Sequence, residues 1–320
     1  MQKFITPISF LLAFFLATLP LSARATEAPA TQQILPDKLL LLDATYAGKN
    51  IVAVGERGTI LVSIDAGNTW QQARTPTQAT LTALTFTDEQ LGWAVGHDAV
   101  ILGSRDGGKN WQQLYAAPEQ QTPLLDVWFE NSLSGYAVGA YGSFYQTQDG
   151  GKTWQARKIL ADDMHINTIV GGADGKLFIA GEAGMMYRSS DHGANWQALP
   201  SPYRGSFFGA LRLGSNTLLA FGLRGHIFRS TDFGQHWAAV PVDSQASLMG
   251  GRILSDGAVV IVGHDGVILR SQDQGKTFTL SKTKVSKALS AVLATVVDSQ
   301  PEKLLLFGEA GVSSKMMREQ

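Results

Sequence analysis

The sequence predicts an all-β fold, a seven-bladed β-propeller of four-stranded blades closed by an N-terminal strand that completes the last blade. Three observations carry this expectation. A polar motif ending in an aromatic recurs six times at spacings of 41 to 43 residues, a Gly-x-x-Gly-like turn recurs seven times, and one period holds four short strands with no room for a helix.

The motif reads SIDAGNTW from Ser63, SRDGGKNW from Ser104, TQDGGKTW from Thr147, SSDHGANW from Ser189, STDFGQHW from Ser230 and SQDQGKTF from Ser271. Each copy must reverse the chain within a few residues. Its Asp can accept backbone N–H groups inside the turn, and its Ser or Thr can do so from the edge. The glycine two residues after the Asp takes a backbone conformation that other residues resist. The final aromatic then opens an outer strand, packing over the turn or against the next blade.

Within one period, LTALTFTD from Leu81 alternates as a first strand, GWAVG from Gly92 is a second, VILGS from Val100 a third and WQQLY from Trp111 a fourth. Between second and third strands lie GERG from Gly55, GHDA from Gly96, GAYG from Gly139, GEAG from Gly181, GLRG from Gly222, GHDG from Gly263 and GEAG from Gly308. That makes seven turns against six motifs. The seventh module, LSAVLATVV from Leu289, then KLLLFG and VSSKMM, has no outer strand of its own. Thr31-Gln32-Gln33-Ile34-Leu35 resembles the outer strands that follow Trp70 and Trp111, and is expected to complete that blade. An open ring would leave unpaired, apolar blade faces exposed.

Ahead of this domain, expected over residues 26–320, residues 1–25 read as an export signal: Lys3, an apolar run from Phe10 to Leu19, and a small-x-small site at Ala23 and Ala25. The run is shorter than the roughly 20 residues that span a bilayer. The expected location is the periplasm or a lumen. Of 26 basic and 27 acidic side chains, cleavage removes Lys3 and Arg24 and no acid, so the mature net charge is −3. Nucleic acid, which calls for a strongly basic surface, is not expected as a partner. The chain has no cysteine, which excludes disulfides, thiolate metal sites and cysteine nucleophiles.

The motif resembles the Asp-box, or bacterial neuraminidase repeat, which in families that carry it is a structural turn on the outer part of a propeller. Six near-identical copies suit stacking better than one catalytic centre. Because sialidases and other glycoside hydrolases carry such turns, a carbohydrate-active protein, hydrolytic or lectin-like, is the alternative reading. Hydrolysis needs two carboxyl groups about 5 to 10 Å apart; the adjacent pairs Asp88–Glu89 and Asp162–Asp163 are the candidates, and adjacent loop acids are ordinarily just solvated. Gly251-Arg252-Ile253-Leu254 lacks the first and last residues of the sialidase Phe/Tyr-Arg-Ile-Pro segment. His97 and His264 sit at equivalent turns of distant blades, and His192 and His236 lie within motifs on the other face. No metal, cofactor or catalytic residue is expected.

The combination AVGxxGxIxxSxDGGxTW, carried by Ala53-Val54-Gly55 through Trp70, Ala94-Val95-Gly96 through Trp111 and Ala137-Val138-Gly139 through Trp154, resembles the photosystem II stability and assembly factor family over essentially all the mature chain. The resemblance implies a non-enzymatic scaffold that binds a membrane-protein client or an envelope complex, close to the membrane. A monomer is expected.

Partner-binding candidates are sought where the repeats depart from uniformity. The turns between second and third strands share a face with the loops joining blades, and the motif turns lie on the other. The first face offers Arg57, Tyr141, Tyr203, Arg204, Arg224 and His226. Lys282, Lys284 and Lys287 extend it at the junction of blades six and seven. A basic sector from blade five onward suits acidic loops, tails or anionic headgroups.

Overall fold

The computed structural model describes residues 36–295 and 303–316. Seven antiparallel sheets form blades 1 (41–72), 2 (81–115), 3 (124–156), 4 (166–198), 5 (207–240), 6 (248–282) and 7 (289–316). Blades 1 to 6 each have four strands in sequence order, and blade 7 has three among the described residues. The first strand of each blade lies beside that of the next. Leu289–Thr295 returns to Leu41–Ala47 and closes the ring. This is the seven-bladed propeller that the repeats predict. The expected export signal, residues 1–25, and the expected closing strand, residues 31–35, lie outside the described residues.

The period-two patterning explains the packing. In blade 2, Gly92–Gly96 is buried along its length, because a second strand is covered on both faces by neighbouring blades. Each apolar cluster accordingly draws on two consecutive blades. Val52, Val54, Ile60 and Val62 of blade 1 pack on Leu81, Leu84, Ala94 and Leu102 of blade 2, and Ala291, Leu293, Leu305 and Phe307 of blade 7 on Leu41, Ile51, Ala53 and Leu61 of blade 1.

The motif aromatics belong to these clusters and refine the sequence reading: each packs on the preceding blade rather than the following one. Trp70 meets Phe307 edge-on at 5.9 Å, Trp196 meets Phe144 at 5.5 Å and Trp237 meets Phe178 at 5.6 Å. Two rings also cover their own turns, Trp111 Nε1 donating to Gly108 O at 2.8 Å and Trp196 Nε1 to Gly193 O at 3.1 Å.

Every motif copy closes through the same bonds. Ser63 Oγ donates to Asp65 Oδ1 at 2.8 Å and accepts the Gly67 N–H at 2.8 Å, while Asp65 also accepts the Thr69 N–H at 2.8 Å and the Thr69 hydroxyl at 2.6 Å. Asn110, Thr153, Asn195, His236 and Thr277 repeat the last contact. With both oxygens occupied by donors, above all from Thr69 and Thr153, Asp65 and Asp149 are held down to about 2. Gly67 sits at φ 82, as the sequence requires, and the residue before it is also left-handed, Ala66 at φ 57 and Phe233 at φ 56 in its copy.

First strands are linked across blades. All seven carry a register shift near their start, which frees residues there to reach sideways. Asp43 accepts the N–H of Leu84 at 2.9 Å, Thr82 donates to Leu124 O at 2.7 Å, Asp126 accepts the N–H of Ile169 at 2.8 Å, and Asn167 donates to Phe207 O at 2.7 Å. Blades 1 to 5 are thus tied by side chains. From blade 5 onward, Gly209, Gly250 and Ala291 stand where those acids do.

Candidate partner-binding face

The turn between second and third strands is what displays the candidate residues. Its first glycine is required by crowding: a Cβ on Gly222 would stand 2.4 Å from Ser206 O, and one on Gly55 2.0 Å from Leu40 O. The next residue donates its N–H to that same carbonyl in all seven blades, as Leu223 does to Ser206 O at 3.0 Å and Glu309 to Ala288 O at 3.0 Å. The turn is therefore pinned to the chain leading into its own blade. Its variable second residue is left-handed and not glycine in six blades: Arg57, Asp98, Tyr141, Ala183, Arg224 and Asp265, at φ between 52 and 59. Such a conformation costs a non-glycine residue roughly 1 kcal/mol, and it holds Arg57, Tyr141 and Arg224 out in solvent.

Four candidates converge on blade 5. The loop 199–206 crosses the turn of blade 4 so closely that a Cβ on Gly184 would meet Tyr203 O at 2.0 Å. Tyr203 then stacks on His226, with ring centroids 4.3 Å apart and planes 20° from parallel, and its hydroxyl reaches Leu223 O at 3.4 Å. His226 Nδ1 lies 3.2 Å from the same carbonyl. Arg204, next in the chain to Tyr203, and Arg224, two residues before His226, are both exposed, and no described carboxylate lies within ion-pair distance of them. The site combines an aromatic stack with two exposed guanidinium groups that have no described acidic partner, suited to carboxylates beside apolar or planar groups.

The remaining candidates lie apart from that platform. Lys282, Lys284 and Lys287 are exposed where blade 6 passes to blade 7, beyond the loop 244–247 and Asp265. Lys287 is partly neutralised by Glu309 at 4.0 Å. Lys315, which the sequence reading missed, joins them by donating to Ser281 Oγ at 2.9 Å and Lys282 O at 3.3 Å, and burial lowers its pKa. Val285 stands 61% exposed among these lysines. Arg57 is on blade 1, and Tyr141 on blade 3, 63% exposed and edge-on to His165 at 5.0 Å.

The paired acids do not form one site. Asp88 is engaged within its own loop, accepting the N–H groups of Gln90 and Leu91 at 2.7 and 2.8 Å. Asp162 and Asp163 lie in a loop joining two blades, on the opposite face.

Two further groups escaped the sequence reading. Asp43 and Asp126 share a register, each after a Leu-Leu pair, a signal visible in the sequence; burial raises them to about 6 and about 7. Arg252 reaches Thr45 and Tyr46 of blade 1, which only the closed ring reveals.

The solved structure of YCF48 bound to D1 peptide is similar to this chain with a TM-score of 0.71 and 19% identity, over 89% of this chain and 94% of that one. YCF48 from Cyanidioschyzon merolae gives 0.69 and 19%, over 88% and 97%. The WD40 propeller domain of Doa1 gives 0.68 at 12%, over 88% and 94%, so at these identities the likeness carries the fold alone. No curated protein sequence matches. The family model described as photosynthesis system II assembly factor YCF48 matches residues 68–123 and 115–258, more than half of the chain, and the chain belongs to that family.

Proposed function

We propose that this protein is a non-catalytic scaffold whose blade 5 platform captures an acidic segment of a membrane-protein client, and that it acts after export, on the outer side of the membrane. The observation that carries the reading is the Tyr203–His226 stack, with exposed Arg204 and Arg224 close to it in the chain and neither paired with a described carboxylate. Membership of an assembly-factor family supports it, as does a solved relative bound to a peptide. Guanidinium groups give such a surface bidentate carboxylate contacts and long-range attraction, and the aromatic pair adds apolar area that resists dissociation.

Capture by crosslinking in envelope membranes, followed by purification of the tagged chain, tests the reading. Arg204→Glu with Arg224→Glu should abolish capture of a membrane protein while leaving Tm unchanged. Capture that survives the double reversal eliminates this platform. Fractionation tests export: a mature chain confined to the cytoplasm would reject it.

A further inference from the structure

A cavity of about 610 Å³ opens between blades 1, 6 and 7, on the face that carries the motif turns, opposite the client platform. Arg252, from the first strand of blade 6, passes blade 7 and reaches blade 1. Its Nη1 and Nη2 both lie 3.3 Å from Thr45 Oγ1, and its guanidinium sits 5.2 Å over the Tyr46 ring. Tyr46 is itself fixed to blade 7, its hydroxyl accepting the Ala294 N–H at 3.0 Å and donating to Ala294 O. Three blades therefore hold one cation in place.

That cation is under-used. No described carboxylate lies within ion-pair distance of Arg252, whereas Arg212 and Arg270 are both paired. The carboxyl group of Asp43, close enough to feel its charge, is committed to the N–H groups of Ala44 and Leu84. Lys49 adds a second positive charge to the lining. The one acid among its described lining residues, Asp65, has both oxygens bound within its own turn. The rest of the lining is mixed: Asn68, Ser255 and Thr295 are polar, while Ile64, 66% exposed, and Ile253, 39% exposed, give an apolar side beside Ile51 and Leu254.

We propose that this cavity binds a small amphipathic monocarboxylate, its carboxylate on Arg252 and its apolar body against Ile64 and Ile253. A fixed guanidinium with free donors selects a carboxylate. The volume falls in the range of small-molecule sites, about 300 to 1,000 Å³, which favours a compact ligand over a protein segment. The site stands on its own residues and does not depend on the client platform.

Saturation-transfer NMR with hexanoate, 1-hexanol and acetate tests the assignment on the full mature chain. Hexanoate should bind at least tenfold more tightly than either hexanol, which lacks the charge, or acetate, which lacks the body. Arg252→Gln should remove the preference over hexanol. Since Arg252 also ties blades together, Ile64→Ser supplies an independent arm: it should bring hexanoate down toward acetate with Tm unchanged. Equal binding of hexanoate and hexanol, or binding indifferent to both substitutions, overturns the proposal. So does hexanoate binding that appears only after Asp298→Asn with Glu302→Gln, because the guanidinium would then be filled from within the chain.

Discussion

Asp126 in blade 3 accepts the backbone N–H of Ile169 in blade 4 at 2.8 Å, while its other oxygen accepts the N–H of Val127 at 2.8 Å. Asp43 makes the equivalent pair of contacts between blades 1 and 2. Burial raises both acids, Asp43 to about 6 and Asp126 to about 7, with the charge of Asp43 a further cause at Asp126; nearby Arg252 acts on Asp43 in the opposite sense. The folded state therefore holds protons that the unfolded chain releases near pH 4, so the stabilising linkage is full below that pH and is lost as pH rises through 6 and 7. His192, raised by its bond to Glu130, acts in the same sense. For the two buried acids the expected outcome is a Tm that falls by roughly 4 °C between pH 5 and 8. Asp43→Asn with Asp126→Asn should flatten most of that slope, and a calorimetric series showing equal slopes would refute the assignment.

The six motif aromatics provide a second, internally controlled comparison. Trp111 Nε1 donates to Gly108 O, but Trp237 Nε1 is buried with no hydrogen-bond partner among the described residues. Blade 6 already carries Phe278 at this register. Trp111→Phe should cost about 1 to 2 kcal/mol, from the lost bond and the orphaned carbonyl, whereas Trp237→Phe should cost less than about 1 kcal/mol, since it removes an unsatisfied donor along with some packing. Denaturant unfolding of both variants decides the point; a greater loss at Trp237 would contradict the reading.

Glycines separate in the same way by what surrounds them. Gly222 is extended, and its substitution is opposed by backbone alone, the Ser206 carbonyl 2.4 Å from where a Cβ would stand and Phe207 Cα and Phe208 N each 2.8 Å; Gly214 has nothing within 4 Å. Gly222→Ala should destabilise by about 2 to 3 kcal/mol as the loop leading into blade 5 is pushed aside. Gly214→Ala should stay within about 0.5 kcal/mol of the parent. Because that loop carries Tyr203 and Arg204, Gly222→Ala should also weaken client capture, read in the same crosslinking assay.

These contrasts show which physical facts a sequence carries. Motif, turn and strand repeat because every blade solves the same local problem, so their spacing alone indicates seven sectors. What differs between blades is less legible. The left-handed residue before the motif glycine is itself Gly in two copies but Ala66, His192, Phe233 and Gln274 in the others, which hides the requirement. The convergence of Tyr203 with His226 depends on a loop path, and that of Arg252 with Tyr46 on ring closure, so neither leaves a local pattern. Exposure of Arg57, Tyr141 and Arg224 could be anticipated, since each is the odd residue in a repeated turn.

Ring closure makes the last prediction. Gly311, at φ 61, opens the third strand of blade 7, and a Cβ there would stand 1.6 Å from the carbonyl of Pro36. The short turn Pro36–Lys38 thus lies hard against Gly311–Met316, the outermost described strand of blade 7. Residues 31–35, the expected fourth strand, immediately precede that turn. Removing residues 26–35 should lower Tm by roughly 10 °C, as loss of a strand of this length costs several kcal/mol of pairing and packing and bares a sheet edge. Gly311→Ala should also lower Tm, both through the left-handed backbone an alanine must adopt there and by displacing Pro36. If the deletion melted like the parent while Gly311→Ala did not, the Pro36 contact would be local packing and the N-terminal segment no part of blade 7.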